Sequence, residues 1–135
     1  MFFQGAILTA LLTICSNASL SQISDSDADL VPDAFDNCLI VANGPNDGSN
    51  QTDSDLDGYG NACDPDYNND WTVNTSDYSI LLSSLTGPGT VTDHDGNGIV
   101  TVTDFALFLE HFTNVPFNVP GPTGLSCAGI VPCTP

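Results

Sequence analysis

The sequence predicts a small, mostly irregular fold with little β structure, in which acidic loops come first, a helical pair of loop-helix units follows and disulfides staple the chain. Three observations predict this fold. One frame of polar residues recurs four times, helical apolar spacing follows the last two copies, and the chain has five cysteines. At 135 residues there is room for one or two small domains and for no large core.

The polar frame is clearest in residues 93–104. Positions 1, 3, 5, 7, 9 and 12 of this stretch are Asp93, Asp95, Asn97, Ile99, Thr101 and Asp104. Five of these residues offer side-chain oxygens, and Ile99 would offer its carbonyl. Gly98 stands at position 6, where a sharp turn needs a positive φ. Because Ca²⁺ takes six to eight oxygen ligands from such a tight loop, the spacing predicts a calcium site.

The same frame begins at three earlier aspartates, and we number the four copies loops 1 to 4 in chain order. In loop 1 the six positions are Asp25, Asp27, Asp29, Val31, Asp33 and Asp36. In loop 2 they are Asp53, Asp55, Asp57, Tyr59, Asn61 and Asp64. In loop 3 they are Asp66, Asn68, Asp70, Thr72, Asn74 and Asp77. All acids except Asp47 and Glu110 fall in the loops, so the alternative of acidic turns without metal is the weaker interpretation.

The net charge indicates what the chain binds and what it does not. There is no Lys or Arg, and the formal charge is −17. Self-repulsion on this scale opposes compaction, so about four Ca²⁺ ions are the expected counter-charge. Nucleic acid is excluded as a partner because phosphates are bound by Lys and Arg, and an anionic membrane would repel the chain.

Residues 1–18 are apolar and end in Ser16-Asn17-Ala18, a small-x-small signal of the kind that signal peptidase cuts. The segment is predicted to be a secretory signal peptide or, if retained, a hydrophobic packing element. It is short for a membrane span, so no transmembrane segment is expected.

Cysteine arithmetic favours an oxidising compartment. Without Cys15 of the signal, four cysteines remain: Cys38, Cys63, Cys127 and Cys133. An even number in a small secreted chain predicts disulfides. A zinc site is the alternative, but the sequence has no CxxC spacing.

Residues 25–65 combine Asp-x-Asp-x-Asp runs with a cysteine near the end of each loop. This segment resembles thrombospondin type 3 repeats. The resemblance implies a chain wrapped around calcium ions with little regular secondary structure. It also implies a disulfide between successive repeats, here Cys38 to Cys63, which would leave Cys127 and Cys133 to close a tail loop. Residues 41–51, between the two loops, form a longer connection than is usual in that family.

In residues 66–112 each loop runs into a helical pattern. Apolar residues at i, i+3, i+4 and i+7 are Tyr78, Leu81, Leu82 and Leu85, then Phe105, Phe108, Leu109 and Phe112. This duplicated unit resembles a dockerin module, whose two calcium loops each precede a helix. The resemblance implies apolar stripes that face each other, a short β contact between Val73 and Val100, and a cohesin-like partner. Partner-binding residues would be Thr75, Ser76, Val102 and Thr103.

Local signals refine the helices and the third loop. Asn74 or Thr75 and Thr101 are predicted helix caps, and Gly87 with Pro88 is predicted to end the first helix. Trp71 takes the place of glycine at position 6 of loop 3, at a cost of about 1–2 kcal/mol if φ is positive. It is interpreted as a tolerated aromatic that packs.

The two histidines give no reason to predict an enzyme. His94 is predicted to face solvent, and His111 to lie on a helix flank. Neither has a nucleophile or base partner near it in sequence.

Residues 113–135 read as an irregular, Pro/Gly-rich tail closed by a disulfide, able to act as a linker or to dock back. Of three N-x-Ser/Thr triplets, the one at Asn50 is the credible glycosylation acceptor, because Asn17 and Asn74 lie at the signal end and in a loop.

These features predict a secreted, non-enzymatic, calcium-binding structural or adhesive protein whose folding is driven by Ca²⁺. One alternative is a self-assembling extracellular fibre subunit, in which residues 1–14 and the apolar Val115, Phe117 and Val119 insert into the next copy. The other is a dockerin-type module that binds a cohesin-like protein.

Overall fold

The computed structural model describes residues 23–113 and 119–134. In these ranges the chain forms a short 3₁₀ helix, Asp33–Phe35, and two α-helices, α1 (Thr75–Ser84) and α2 (Val102–Thr113). The described residues contain one isolated antiparallel bridge, Pro88 to Ile99, and no strand. The two helices and the scarcity of β structure are as predicted. The predicted signal segment, and Val115 and Phe117, lie outside the described residues.

Helix α1 begins at a capping box. The Asn74 side chain accepts from the Ser76 N–H at 2.8 Å, and Asp77 Oδ2 accepts from the Asn74 N–H at 2.8 Å. These bonds satisfy two of the free amides at the helix start. The helix ends at Ser84, before the predicted stop at Gly87, because Thr86 turns the backbone into the left-handed region with φ +66°.

The two helices share one apolar core. Leu81 of α1 and Phe108 of α2 are fully buried, together with Tyr67, Val73 and Val100 from loops 3 and 4. The apolar faces of the helices therefore do meet. A helix pair of this size needs such a shared face, since short helices are marginal alone.

The short β contact differs from the one predicted between Val73 and Val100. The Val100 N–H donates to Gly87 O at 3.2 Å, and Val100 O accepts from the Thr86 N–H at 2.8 Å. The backbone of Val100 is thus paired with the segment leaving α1, and Val73 joins the core through its side chain alone.

Two disulfides hold the loops and the tail. Cys38 bonds to Cys63, and both are fully buried beside Ala62 and Val41. Cys127 bonds to Cys133, six residues further along the chain, and closes a short loop in the tail. Closing such loops stabilises the fold mainly by restricting the unfolded chain.

The tail docks back onto loops 1 and 2. The N–H groups of Gly121, Gly124 and Gly129 donate to Cys63 O at 3.1 Å, Asp36 O at 2.8 Å and Asp57 O at 2.6 Å. The Cys133 N–H donates to Leu56 O at 2.7 Å. The tail is therefore bonded to both loops along its described length.

The connection of residues 41–51 contacts loop 4. A Cβ added at Gly48 would lie 2.5 Å from Asp95 O, and one at Gly96 would lie 2.4 Å from the Ser49 N. Both glycines are needed for this close backbone approach. The Asn61 amide also donates to Thr90 O at 2.9 Å, so loop 2 is joined to the segment that leads into loop 4.

His94 is buried, with 1% of its surface exposed, so the predicted solvent-facing position was wrong. Its Nε2 lies 2.6 Å from the Tyr67 hydroxyl, and its ring stacks on His111 at 6.2 Å between centroids. Burial lowers the pKa of His94 to about 4, so the ring is neutral at pH 7. Aromatic neighbours from loop 3 and α2 cover this side chain, and neighbours so distant in sequence give no local signal.

No helix in the described ranges has both the length and the apolar character needed to cross a bilayer.

Candidate calcium-binding loops

All four loops share one hydrogen bond between positions 1 and 6. The N–H at position 6 donates to Oδ2 of the position-1 aspartate in every copy. The pairs are Leu30 to Asp25 at 3.2 Å, Gly58 to Asp53 at 2.9 Å, Trp71 to Asp66 at 2.7 Å and Gly98 to Asp93 at 2.9 Å. Each bond folds the loop back on its first ligand position.

A second bond repeats between positions 5 and 7. The N–H at position 7 donates to Oδ1 of position 5 in all four loops. The pairs are Val31 to Asp29 at 2.7 Å, Tyr59 to Asp57 at 2.8 Å, Thr72 to Asp70 at 3.0 Å and Ile99 to Asn97 at 2.9 Å. These are Asx turns, in which a short side chain fixes its own backbone. The frame found in the sequence is thus a structural repeat.

The backbone has a positive φ at position 6 in every loop, as the glycine pattern indicates. The values are +81° at Leu30, +93° at Gly58, +69° at Trp71 and +91° at Gly98. Position 4 is also left-handed, at Ala28, Leu56, Asn69 and Gly96, which the sequence pattern did not predict. Non-glycine residues in this region are strained by about 1–2 kcal/mol each, so the surrounding contacts must hold them there.

Trp71 packs against the tail and not into the core. Half of its surface (51%) is exposed, and its ring meets Tyr59 edge-on at 6.2 Å. A Cβ at Gly129 would lie 2.1 Å from the indole. The indole therefore bridges loops 2 and 3 and the tail.

In three loops the carboxylates converge. The groups Asp25-Asp27-Asp29, Asp53-Asp55-Asp57 and Asp93-Asp95-Asp104 each bring three carboxylate oxygens within 4.8 Å of one another. Loop 3, with Asn68 at position 3, has no such trio among the described residues. The donors are hard oxygens, which suit Ca²⁺ and Mg²⁺ better than transition metals.

Several of these oxygens are buried without any hydrogen-bond partner in the described structure. They are Asp25 Oδ1, Asp27 Oδ2, Asp36 Oδ2, Asp77 Oδ1 and Asp93 Oδ1. Buried polar atoms are normally paired, and a charged one left alone is strongly unfavourable. All five lie at loop positions 1, 3 or 12, so the residues present fit a bound cation.

Burial, together with neighbouring carboxylates, raises the pKa values of several loop aspartates. Burial, together with Asp55 and Asp53, raises the pKa of Asp57 to about 6. Burial and the neighbouring Asp57 raise the pKa of Asp64 well above its usual value. Burial, with Asp29 and Asp36 close by, raises the pKa of Asp27. A cation in the loops would favour the ionised forms.

The position-12 aspartates are all buried and each fixes nearby amides. Asp104 accepts from the N–H groups of His94 at 2.8 Å and Thr101 at 2.7 Å. Asp64 Oδ1 accepts from the Asp66 N–H at 2.9 Å. Asp104 thus ties the end of loop 4 to its beginning, and Asp64 ties the end of loop 2 to the start of loop 3.

The position-9 side chains are engaged in hydrogen bonds. Both carboxyl oxygens of Asp33 accept from Ser26, at 2.7 Å from its N–H and 2.9 Å from its hydroxyl. Hydrogen bonds from Ser24 and Ser26 lower the pKa of Asp33. Asn61 Oδ1 accepts from the Ser54 N–H at 2.9 Å, and the Asn61 amide nitrogen donates to the Ser54 hydroxyl at 2.9 Å. In loops 1 and 2 the side chain at position 9 is therefore hydrogen-bonded to the serine at position 2.

Position 9 in loops 3 and 4 serves the helix start. Asn74 caps α1, and Thr101 Oγ1 accepts from the Thr103 N–H at 3.1 Å. The capping expected at these two positions is present.

Two buried amides and one half-buried amide beneath loop 1 were not predicted from the sequence. Asn37, Asn43 and Gln51, which we call the amide network, are hydrogen-bonded to one another and to Asp29 and Asp36. Two of them lie in the connection of residues 41–51, for which the sequence predicted no role. Residues 37–51 contain five Asn or Gln side chains among turn residues, so no local signal marks these three.

The residues predicted to bind a partner are exposed at the starts of the two helices. Thr75 and Ser76 of α1 and Thr103 of α2 are exposed, and Val102 has 80% of its surface exposed. The predicted glycosylation acceptor, Asn50, is exposed in a turn with φ +37°.

Comparison with known families gives one match. Residues 23–45 and 52–78 match the family model of the Thrombospondin type 3 repeat, so this part of the chain is similar to a calcium-binding repeat that occurs in extracellular proteins. The second matched segment runs through loop 3 and into α1, across the predicted boundary between residues 65 and 66. No curated protein and no solved structure matches the chain.

Proposed function

We propose that this protein is a secreted, non-enzymatic structural or adhesive component whose fold is set by bound Ca²⁺. The match to thrombospondin type 3 repeats over loops 1 to 3 supports the calcium chemistry. The same frame and the same two hydrogen bonds recur in loop 4, which extends the proposal to about four ions. The repeats are typical of extracellular proteins, and two disulfides fit that setting.

The single observation that carries the proposal is the set of buried carboxylate oxygens without partners. A chain with no Lys or Arg has no side-chain cation that could neutralise them. A divalent cation supplies two positive charges and accepts several oxygens at once. The ion would therefore be part of the folded state and not an addition to it.

Each loop would hold its ion through positions 1, 3, 5, 7 and 12, the last being Asp36, Asp64, Asp77 and Asp104. When bound, calcium supplies the positive charge that lets these acids remain close together. The chain contributes the rest. Backbone N–H groups at positions 6 and 7 orient the carboxylates at positions 1 and 5, and position 9 clamps loops 1 and 2.

The proposal is tested by calcium titration of the demetallated full chain. Circular dichroism would follow the fold, and Trp71 fluorescence would follow loop 3 and the tail that packs against it. We expect both signals to change together at calcium concentrations that saturate the loops, with recovery after chelation and re-addition. Spectra and melting behaviour that excess chelator leaves unaltered would overturn the proposal. Mass spectrometry of the mature chain would test secretion by showing whether residues 1–18 are removed.

A docking role is a second candidate function. It is favoured by the exposed Val102 and its polar neighbours at the starts of α1 and α2, and it is the role that the resemblance of residues 66–112 to a dockerin module implies. A panel of cohesin-like proteins in a pulldown with calcium tests it, and binding that survives Val102→Asp would count against this surface. Size measurement with and without calcium distinguishes this monomeric module from the fibre subunit.

A further inference from the structure

The connection of residues 41–51 lies directly against the ligand positions of loop 1. A Cβ added at Gly44 would come 2.1 Å from Asp29 O, so the connection touches the loop backbone. Asn43 is fully buried, and its N–H donates to Asp29 Oδ2 at 2.9 Å. Asp29 Oδ1 is held by the Val31 N–H, and the connection thus fixes the second oxygen of this carboxylate.

Gln51, at the end of the connection, fixes a second ligand position. Its amide nitrogen donates to Asp36 Oδ1 at 2.8 Å, and the Cys38 N–H donates to the same oxygen at 2.9 Å. Asp36 is fully buried, and its Oδ2 has no hydrogen-bond partner in the described structure. With Oδ1 held in this way, Oδ2 is the oxygen left for the loop.

The orientation of Gln51 is itself fixed by the rest of the network. The side-chain oxygen of Gln51 accepts from the Asn37 N–H at 2.9 Å, and the side-chain nitrogen also donates to Asn43 Oδ1. The Asn43 amide donates to Asn37 Oδ1 at 2.7 Å. A flipped Gln51 amide would lose the donors to Asp36 and Asn43, so the network admits one orientation.

We propose that Gln51 and Asn43 are positioning residues of the loop 1 calcium site, which is thus built from residues 25–51 and not from the twelve-residue loop alone. This inference rests on the proposed function. Outer partners that orient the ligands of a metal commonly change its affinity by about ten- to a hundredfold when they are removed. The neutral amides supply donors to the two carboxylates without adding a charge that would compete with the ion.

The test is a calcium titration of the oxidised full chain, followed by amide resonances that report single loops. Leu30 and Val31 report loop 1, and Gly98 and Ile99 report loop 4, because their N–H groups donate to side-chain oxygens at the ligand positions. Gln51→Glu replaces the donor with an oxygen that faces Asp36. Gln51→Met removes the amide without adding charge. Asn50→Asp is the matched control, since it adds the same charge at the exposed neighbour.

We expect both Gln51 variants to bind calcium at loop 1 at least about tenfold more weakly, with loop 4 unchanged. Saturating calcium should restore the wild-type spectrum in both variants, which a merely structural role would not permit. Asn50→Asp should titrate like the wild type.

Other results overturn the inference. The inference is wrong if both Gln51 variants bind calcium at loop 1 as tightly as the wild type. It is also wrong if Asn50→Asp weakens loop 1 as much as the Gln51 variants do, or if those variants weaken loop 4 as much as loop 1. A Gln51→Glu chain that fails to fold leaves Gln51→Met to decide in the same way. Failure of the proposed function is recognised separately. If no loop of the wild type responds to calcium, the proposed function fails, whereas a wild-type loop 1 that binds calcium no more tightly than both Gln51 variants overturns this inference alone.

Discussion

The Trp71 N–H donates to Asp66 Oδ2 at 2.7 Å, the bond that Gly98 makes to Asp93 at 2.9 Å in loop 4. Trp71, with φ +69°, therefore adopts the left-handed backbone conformation that glycine has at the same position of loop 4. The repeated hydrogen bonds between loop positions set the geometry, and loop 3 keeps it without a glycine at position 6.

The first prediction concerns Trp71→Gly. Glycine relieves about 1–2 kcal/mol of left-handed strain, and the N–H bond to Asp66 is a backbone bond that survives. Calcium binding by loop 3 should therefore not weaken. The indole's contact with Gly129 is lost, so hydrogen exchange at the Gly129 N–H should accelerate. Trp71→Phe, which keeps the strain and an aromatic ring, is the control, and weaker calcium binding by Trp71→Gly would contradict the prediction.

Replacing a position-12 aspartate should disable one loop. Asp104 accepts N–H bonds from His94 and Thr101 while fully buried, and Asp104→Asn places an amide against these donors. We expect about a tenfold or greater loss of affinity at loop 4, measured by calcium titration with amide resonances of that loop. Asp47→Asn removes the same charge from an exposed residue outside the loops. If the two variants behave alike, net charge and not the site accounts for binding.

The metal-free protein should lose stability as pH rises. Burial with Asp55 and Asp53 nearby raises the pKa of Asp57 to about 6 in the folded state, above the value of 3.8 for an unperturbed carboxyl. The folded chain then binds more protons than the unfolded chain between these values, so the stabilising contribution is present below pH 3.8 and is lost as pH rises through 6.

Thermal melts at pH 4.5 and 7.5 in chelator check this prediction. The melting temperature should be higher at pH 4.5, and Asp57→Asn should reduce the difference. With calcium the order should reverse, because the ligands must be ionised to bind. A metal-free melting temperature that rises with pH would contradict the prediction.

Opening the tail disulfide should loosen loop 2. The Cys133 and Gly129 N–H groups hold Leu56 O and Asp57 O, and the bridge to Cys127 closes the segment that carries them. By the chain-entropy model a loop this short contributes about 2 kcal/mol. The double variant Cys127→Ser, Cys133→Ser should show faster hydrogen exchange at the Tyr59 N–H, with the Gly98 N–H in loop 4 as the internal control. Equal acceleration at both would indicate general destabilisation.

The sequence predicted what depends on short-range spacing. The register of the four loops was readable because the bonds from position 6 to position 1 and from position 7 to position 5 use residues at fixed offsets. The two helices followed from apolar spacing, and the resemblance to thrombospondin repeats pointed to the Cys38 to Cys63 bridge. The start of α1 could be predicted from Asn74, because helix capping depends on residues that are close in sequence.

What the sequence could not predict depends on contacts between distant segments. The burial of His94 comes from Tyr67 and His111, which approach it from other elements. The role of Gln51 comes from Asp36, fifteen residues away. A single sequence carries no sign of such pairings, so residues 41–51 were described only as a long connection and His94 was predicted to face solvent.

Two contacts join parts of the chain that lie far apart in sequence. The Asn61 amide donates to Thr90 O, and the backbone of Gly48 lies close to Asp95 of loop 4. Ions leaving one turn would thus disturb its distant neighbours. Each loop keeps its own ligands, but the loss of its ion should also loosen the contacts that it shares with these distant segments.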